Sequence, residues 1–196
     1  MLYRTFRLFF RIIFTFFFRW EIKGAQHVPK QGPVLLCANH ISNWDPPLVG
    51  SSLRRKVHFM AKEELFHIPL LSFLIRNFGA FPVKRGSGDK RALRTALDLL
   101  AEQKVLGVFP EGTRSKTGEL GKAHTGATYM ALKSKAPIVP VAIIGPYRLF
   151  RKIQIVFGPP ISMEPYLKEK ITSDTIQQVT DRVMGDIASM IAAERK

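Results

Sequence analysis

Short apolar runs alternate along this chain with longer stretches of helical periodicity. Val34-Leu35-Leu36-Cys37-Ala38, bounded by Gly32-Pro33, reads as a buried strand. Further short runs follow at 57–61, 79–83 and 106–109. Residues 137–145 form another, with Pro140 inside it, which predicts an edge position or a bulge. Residues 152–157 alternate like a half-exposed strand. Between the runs lie helical patterns: a short one from Pro46, one over 69–77, one opened by Asp89 with Leu93, Ala96, Leu97 and Leu100 inward, and one over 125–133. A terminal helix opens at Asp174, with Asp174 and Gln177 as a capping box. Lys62-Glu63-Glu64-Leu65 begins a further helix, and the apolar positions at 70–78 cover more than one stripe, which predicts a buried helix or a cavity wall. Alternation of this kind predicts a single α/β domain with a largely parallel, mixed central sheet flanked by helices.

The first twenty residues are different. Arg4, Arg7 and Arg11 recur at i, i+3 and i+7, and Phe6, Phe9, Phe10, Ile13, Phe14 and Phe17 fill most of the remaining surface. The unbroken apolar stretch is far shorter than the ~20 residues that span a bilayer. A basic stripe opposite an aromatic face predicts a helix lying in the membrane interface. The expected organisation is an anchoring helix over 1–22 and a domain over 23–196.

Charge strengthens that expectation. The 196 residues carry a formal charge of +15, so an anionic partner is expected: a membrane surface, a phosphorylated substrate or an acidic carrier. Nucleic acid is disfavoured, because the aromatics concentrate at the N-terminus rather than among the basic residues elsewhere. Cys37 is the only cysteine; no intrachain disulfide forms, and a small buried hydrophobe is its simplest reading. No metal-spaced Cys/His cluster, dinucleotide fingerprint or P-loop occurs, so neither a metal nor a cofactor is predicted.

Three predicted strands run into polar residues: Asn39-His40, Lys84-Arg85 and Glu111-Gly112-Thr113-Arg114. Parallel strands gather such ends on one edge, where ligands bind. His40 stands five residues before Asp45, which precedes Pro46. A histidine, with an intrinsic pKa near ~6.5, can take a proton at neutral pH when a carboxylate orients it. On this spacing alone, an aspartate N-cap beside an unrelated loop histidine is the better explanation of the pair.

Four blocks in order, Asn39-His40-x4-Asp45, Gly79-Ala80-Phe81-Pro82-Val83-Lys84-Arg85, Phe109-Pro110-Glu111-Gly112-Thr113-Arg114-Ser115 and Ile138-Val139-Pro140-Val141, resemble those of the glycerolipid acyltransferase family, and within it the 1-acyl-sn-glycerol-3-phosphate acyltransferases. The resemblance covers roughly residues 34–145. It implies a glycerol-3-phosphate acyltransferase-like fold, with His40 as general base and Asp45 as its orienter. Arg85, Glu111, Gly112, Thr113 and Arg114 would bind the acceptor, with Lys62 a further candidate, and Lys122 or His124 a later one. The implied partners are lysophosphatidic acid, an acyl carrier protein or acyl-coenzyme A donor, and an anionic membrane surface. The implied place is peripheral, on the cytoplasmic face of the cell membrane.

Overall fold

In the computed structural model, which describes residues 2–84, 88–115, 117–167 and 170–195, the Val34–Ala38 strand (β2) is buried at every position because helices cover both faces of the sheet. It is one of thirteen α-helices and strands among the described residues. In chain order they are α1 (Leu2–Phe17), β1 (Trp20–Lys23), β2, α2 (Asp45–Ser52), β3 (Val57–Lys62), α3 (Pro69–Asn77), β4 (Ala80–Val83), α4 (Lys90–Ala101), β5 (Val105–Val108), α5 (Gly126–Ser134), β6 (Ile138–Ile144), β7 (Ile153–Phe157) and α6 (Ser173–Glu194). The seven strands form one sheet in the order β1-β7-β6-β2-β5-β3-β4. Every pairing is parallel except β6 with β7.

Residue alternation divides the core in two. Leu35, Cys37, Leu106 and Ile138 face α4, α5 and α6. Leu36, Val105, Val139 and Ile155 face α1 and α2. Cys37 is buried, and desolvation pushes its thiol up to about 12, which leaves it inert as a nucleophile.

Several sequence expectations are corrected. The anchoring helix expected over 1–22 ends at Phe17, and Trp20–Lys23 form β1; four residues are too few to show alternation, and only the pairing with β7 makes them a strand. Pro140 sits in an interior strand rather than at an edge. Its carbonyl accepts from Gly158 N–H, 2.8 Å away and just past the end of β7, so the missing N–H falls where that ladder stops. Asp45 is the first residue of α2, capped by Trp44, rather than the cap itself. Thr172, not Asp174, caps α6 through Thr175 N–H. The turn after Lys62 is a 3₁₀ helix over Glu63–His67. α3 holds no buried residue at all, and its Leu70 and Phe73 are exposed.

The N-terminal helix is turned the opposite way from the expected arrangement. Arg7 Nη1 donates to the carbonyls of Leu53 and Arg54 at 3.2 and 2.8 Å, and Arg11 Nη1 to that of Ser51 at 3.0 Å. Carbonyls at a helix C-terminus lack intrahelical donors and carry partial negative charge, so two of the three stripe arginines dock α1 on the end of α2. Phe14 is fully buried and packs against Phe10, Trp20 and Trp44. The outward face is apolar: Leu8, Phe9, Ile12 and Phe16. No helix among the described residues is long and apolar enough to cross a membrane.

Candidate active site

The site is built at the C-terminal ends of β2 and its neighbours. Asn39 ends β2, and its side-chain amide copies a strand ladder: Nδ2 donates to Ile143 O at 2.9 Å, and Oδ1 accepts from Ile143 N–H at 2.7 Å. This buried pair ties the end of β2 to β6 and fixes the departure of His40. The chain then reverses. Asp45 Oδ2 accepts from Ile41 N–H and Ser42 N–H, each at 2.7 Å, before Pro46 and Pro47 commit the chain to α2.

The same turn brings the sequence-predicted pair together: His40 Nδ1 lies 2.7 Å from Asp45 Oδ2. Asp45 is completely buried. An ionised carboxylate only accepts, so Nδ1 carries the proton and Nε2 presents a lone pair. The imidazole face stacks on Phe109, with ring centroids 4.0 Å apart at 19°. Phe109 in turn stacks on Phe59 at 6.1 Å. Gly107 makes room for that column, since a Cβ there would stand 2.3 Å from the Phe59 ring.

The Phe109–Ser115 turn grips the histidine backbone from both sides. His40 N–H donates to Glu111 Oε1 at 2.8 Å, and His40 O accepts from Ser115 N–H at 2.8 Å. The second Glu111 oxygen accepts from Gly121 N–H at 2.7 Å. Glu111, expected to touch the acceptor, is therefore buried with both oxygens engaged by main-chain donors. Gly112 has φ +66, and a Cβ there would meet the His124 ring at 3.0 Å; both its conformation and its clearance require glycine. Thr113 and Arg114 are exposed beside the turn, and no described residue pairs with the Arg114 guanidinium.

One expected residue is not drawn in. Lys62 is exposed at the end of β3 and pairs with Glu64 at 3.0 Å. Arg85 lies outside the described residues. Lys122 and His124 are both exposed; of the two, His124 is the one held against the turn, through its N–H to Pro110 O at 2.8 Å.

Sequence reasoning missed Tyr147. Its hydroxyl donates to Asp45 Oδ1 at 2.6 Å. Burial first, and then the Asp45 charge, raise the phenol well above its ordinary value, so it stays a donor. Asp45 thus accepts four hydrogen bonds, from one imidazole, two main-chain amides and one phenol.

Two recesses flank the histidine. One, of about 440 Å³, is mostly apolar and opens along the ends of β3, β4 and β5, with Met60, Val83, Val108, Phe109 and Met130 in its walls. The other, of about 520 Å³, lies at the ends of β2 and β6 beside Ser42 and Tyr147. His40 stands between them through its neighbours Ile41 and Phe109.

A histidine oriented by a buried carboxylate is suited to remove a proton from a substrate nucleophile. On an α/β sheet, a base of this kind is compatible with acyl transfer to a hydroxyl. Residues 19–144 match the Acyltransferase family, and the chain belongs to it. The chain is 30% identical over 166 residues to the 1-acyl-sn-glycerol-3-phosphate acyltransferase of Bacillus subtilis, covering 79% of this chain and 82% of that one. It is 34% identical over 125 residues to the lyso-ornithine lipid O-acyltransferase of Pseudomonas aeruginosa, covering 63% of this chain and 47% of that one. The crystal structure of the 1-acyl-sn-glycerophosphate acyltransferase from Thermotoga maritima superposes with a TM-score of 0.77 at 26% identity, covering 96% of this chain and 79% of that one.

Proposed function

We propose that this acyltransferase moves a fatty acyl group from a thioester, carried on coenzyme A or an acyl carrier protein, to the free hydroxyl of 1-acyl-glycerol-3-phosphate. The product is phosphatidic acid. The observation that carries the reading is the 2.7 Å His40–Asp45 pair, held by a turn that also carries Arg114.

An alcohol is a weak nucleophile at neutral pH. His40 Nε2 accepts the hydroxyl proton as the oxygen attacks the thioester carbonyl, a role worth roughly 10²–10⁴-fold. Asp45 stabilises the imidazolium that forms. The tetrahedral intermediate then expels the thiolate, which takes the proton back from His40. The donor is already activated, so no acyl-enzyme is required. Arg114 binds the acceptor phosphate and so holds the hydroxyl near the base. Glu111 acts by fixing the backbone of His40, not by touching substrate. The apolar recess against Phe109 takes an acyl chain.

The acceptor resides in a bilayer, and the exposed face of α1 with Leu8, Phe9, Ile12 and Phe16 supplies a docking surface, extended by Leu70 and Phe73 of α3. In this arrangement the lipid contact is led by apolar side chains, with Arg7 and Arg11 hydrogen-bonded to the carbonyls at the end of α2.

Similarity to the ornithine-lipid enzyme supports a second reading, in which the acceptor is a lysolipid without a glycerol phosphate. Purified protein offered lysophosphatidate, lyso-ornithine lipid and lysophosphatidylglycerol with one thioester separates the two. Turnover highest on lysophosphatidate, and lost selectively for it in Arg114→Ala, is expected. Preference for a phosphate-free acceptor refutes the first reading.

A further inference from the structure

The recess of about 520 Å³ at the ends of β2 and β6 has no task in the chemistry above. Its walls carry two arginines, Arg148 and Arg195, and four hydroxyl side chains, Ser42, Ser115, Thr117 and Tyr147. None of the eleven described residues that line it is acidic. Arg195 spends one N–H on Gly118 O at 3.0 Å, and Arg148 has no side-chain partner among the described residues. Two like charges facing one recess repel, and an anion bound between them removes that repulsion. Ser42 and Tyr147 also place the recess directly against the turn that holds His40.

The proposed reaction brings two anionic substrates to one base. The apolar recess on the other flank, at the ends of β3, β4 and β5, suits a hydrocarbon chain. We infer that the basic recess is the subsite for the phosphate of the thioester donor's phosphopantetheine arm, the group that coenzyme A and an acyl carrier protein share. The inference rests on the proposed acyl transfer. The arm's amides meet the hydroxyl side chains, its phosphate meets Arg148 and Arg195, and its thioester extends past Ser42 toward His40. A volume of this size lies in the ~300–1,000 Å³ range of small-molecule sites.

Arg148 is exposed, so Arg148→Glu leaves the fold intact, which a melting curve checks. Steady-state kinetics on the full chain then vary each substrate in turn. The expected result is a rise in donor KM of about 10-fold or more, because a phosphate contact is replaced by a repulsion, with acceptor KM unchanged. The rise is the same for acyl-coenzyme A and acyl carrier protein, whose arms are identical. A rise in acceptor KM instead, a donor KM that does not move, or a rise confined to coenzyme A overturns the assignment. Calorimetric titration of free 4′-phosphopantetheine supplies a readout without turnover. Wild-type protein binds it more tightly than pantetheine and Arg148→Glu does not; equal binding of the two compounds by wild type overturns the phosphate site. Binding of 4′-phosphopantetheine by a protein that acylates no lysophosphatidate refutes the proposed acceptor while leaving this subsite standing.

Discussion

Tyr147 donates a 2.6 Å hydrogen bond to Asp45 Oδ1, the oxygen that His40 does not use. The two residues are separated by 102 positions and meet because β6 runs beside β2. Both carboxylate oxygens are thereby fixed, and the imidazole cannot swing without breaking a buried network. Tyr147→Phe removes one donor from a buried carboxylate, an interaction worth about 1.5–3 kcal/mol when one partner is charged. The expected effect is a kcat about 10-fold lower with both KM values little changed. An unchanged kcat beside a lowered melting temperature would mean that Tyr147 serves stability alone.

Glu111 is expected to behave as a positioning residue. Glu111→Gln leaves either His40 N–H or Gly121 N–H facing an amide NH₂ in place of a carboxylate oxygen. An unsatisfied buried donor costs about 1–3 kcal/mol. Urea unfolding should register that loss, and kcat should fall while acceptor KM stays constant. A selective rise in acceptor KM, with unchanged stability, would return Glu111 to the substrate.

The two faces of α1 should separate under mutation. Phe14→Ala removes a fully buried ring and should destabilise by about 3–5 kcal/mol. Phe16, at 70% exposed, has little to lose in the fold. Phe16→Glu, combined with Leu8→Glu, should leave the melting temperature nearly unchanged while releasing the protein from phospholipid vesicles in a flotation assay. Undiminished flotation would move the docking surface elsewhere.

His58 gives a pH dependence apart from the chemistry. Burial, with Lys56 and then Lys104 adding to it, lowers its imidazole to about 4. The unfolded chain, with histidine near ~6.5, binds the proton first as pH falls. The stability that His58 contributes is therefore full above ~6.5 and drains away between ~6.5 and about 4. Chemical denaturation across that window should show a shallower loss for His58→Gln than for wild type. Parallel curves would contradict the assignment.

How much of this was legible in the sequence depends on the range of each interaction. The strand ends and the α/β alternation rest on local pattern, and the fold carries them; the His40–Asp45 pairing was expected only from the resemblance of the four blocks, because spacing alone favours a loop histidine beside a capping aspartate. Tyr147 was illegible because its partner lies across the sheet and a tyrosine after Gly145-Pro146 has no local signature. Glu111 was visible as an acid, but its partners are main-chain N–H groups, which no sequence displays. The arginine stripe of α1 was plain, yet its direction was not: bare carbonyls at the end of α2 drew Arg7 and Arg11 inward, and only tertiary docking exposes that demand. Pro140 misled for a similar reason, since its tolerance depends on where β7 stops.

The most direct measurement is the single-turnover rate of purified His40→Ala against wild type, with lysophosphatidate and an acyl thioester, alongside circular dichroism to confirm folding. Loss of a positioned base predicts a rate lower by roughly 10²–10⁴-fold with the fold preserved. A folded His40→Ala protein that acylates lysophosphatidate within a few-fold of wild type would contradict the account at its centre.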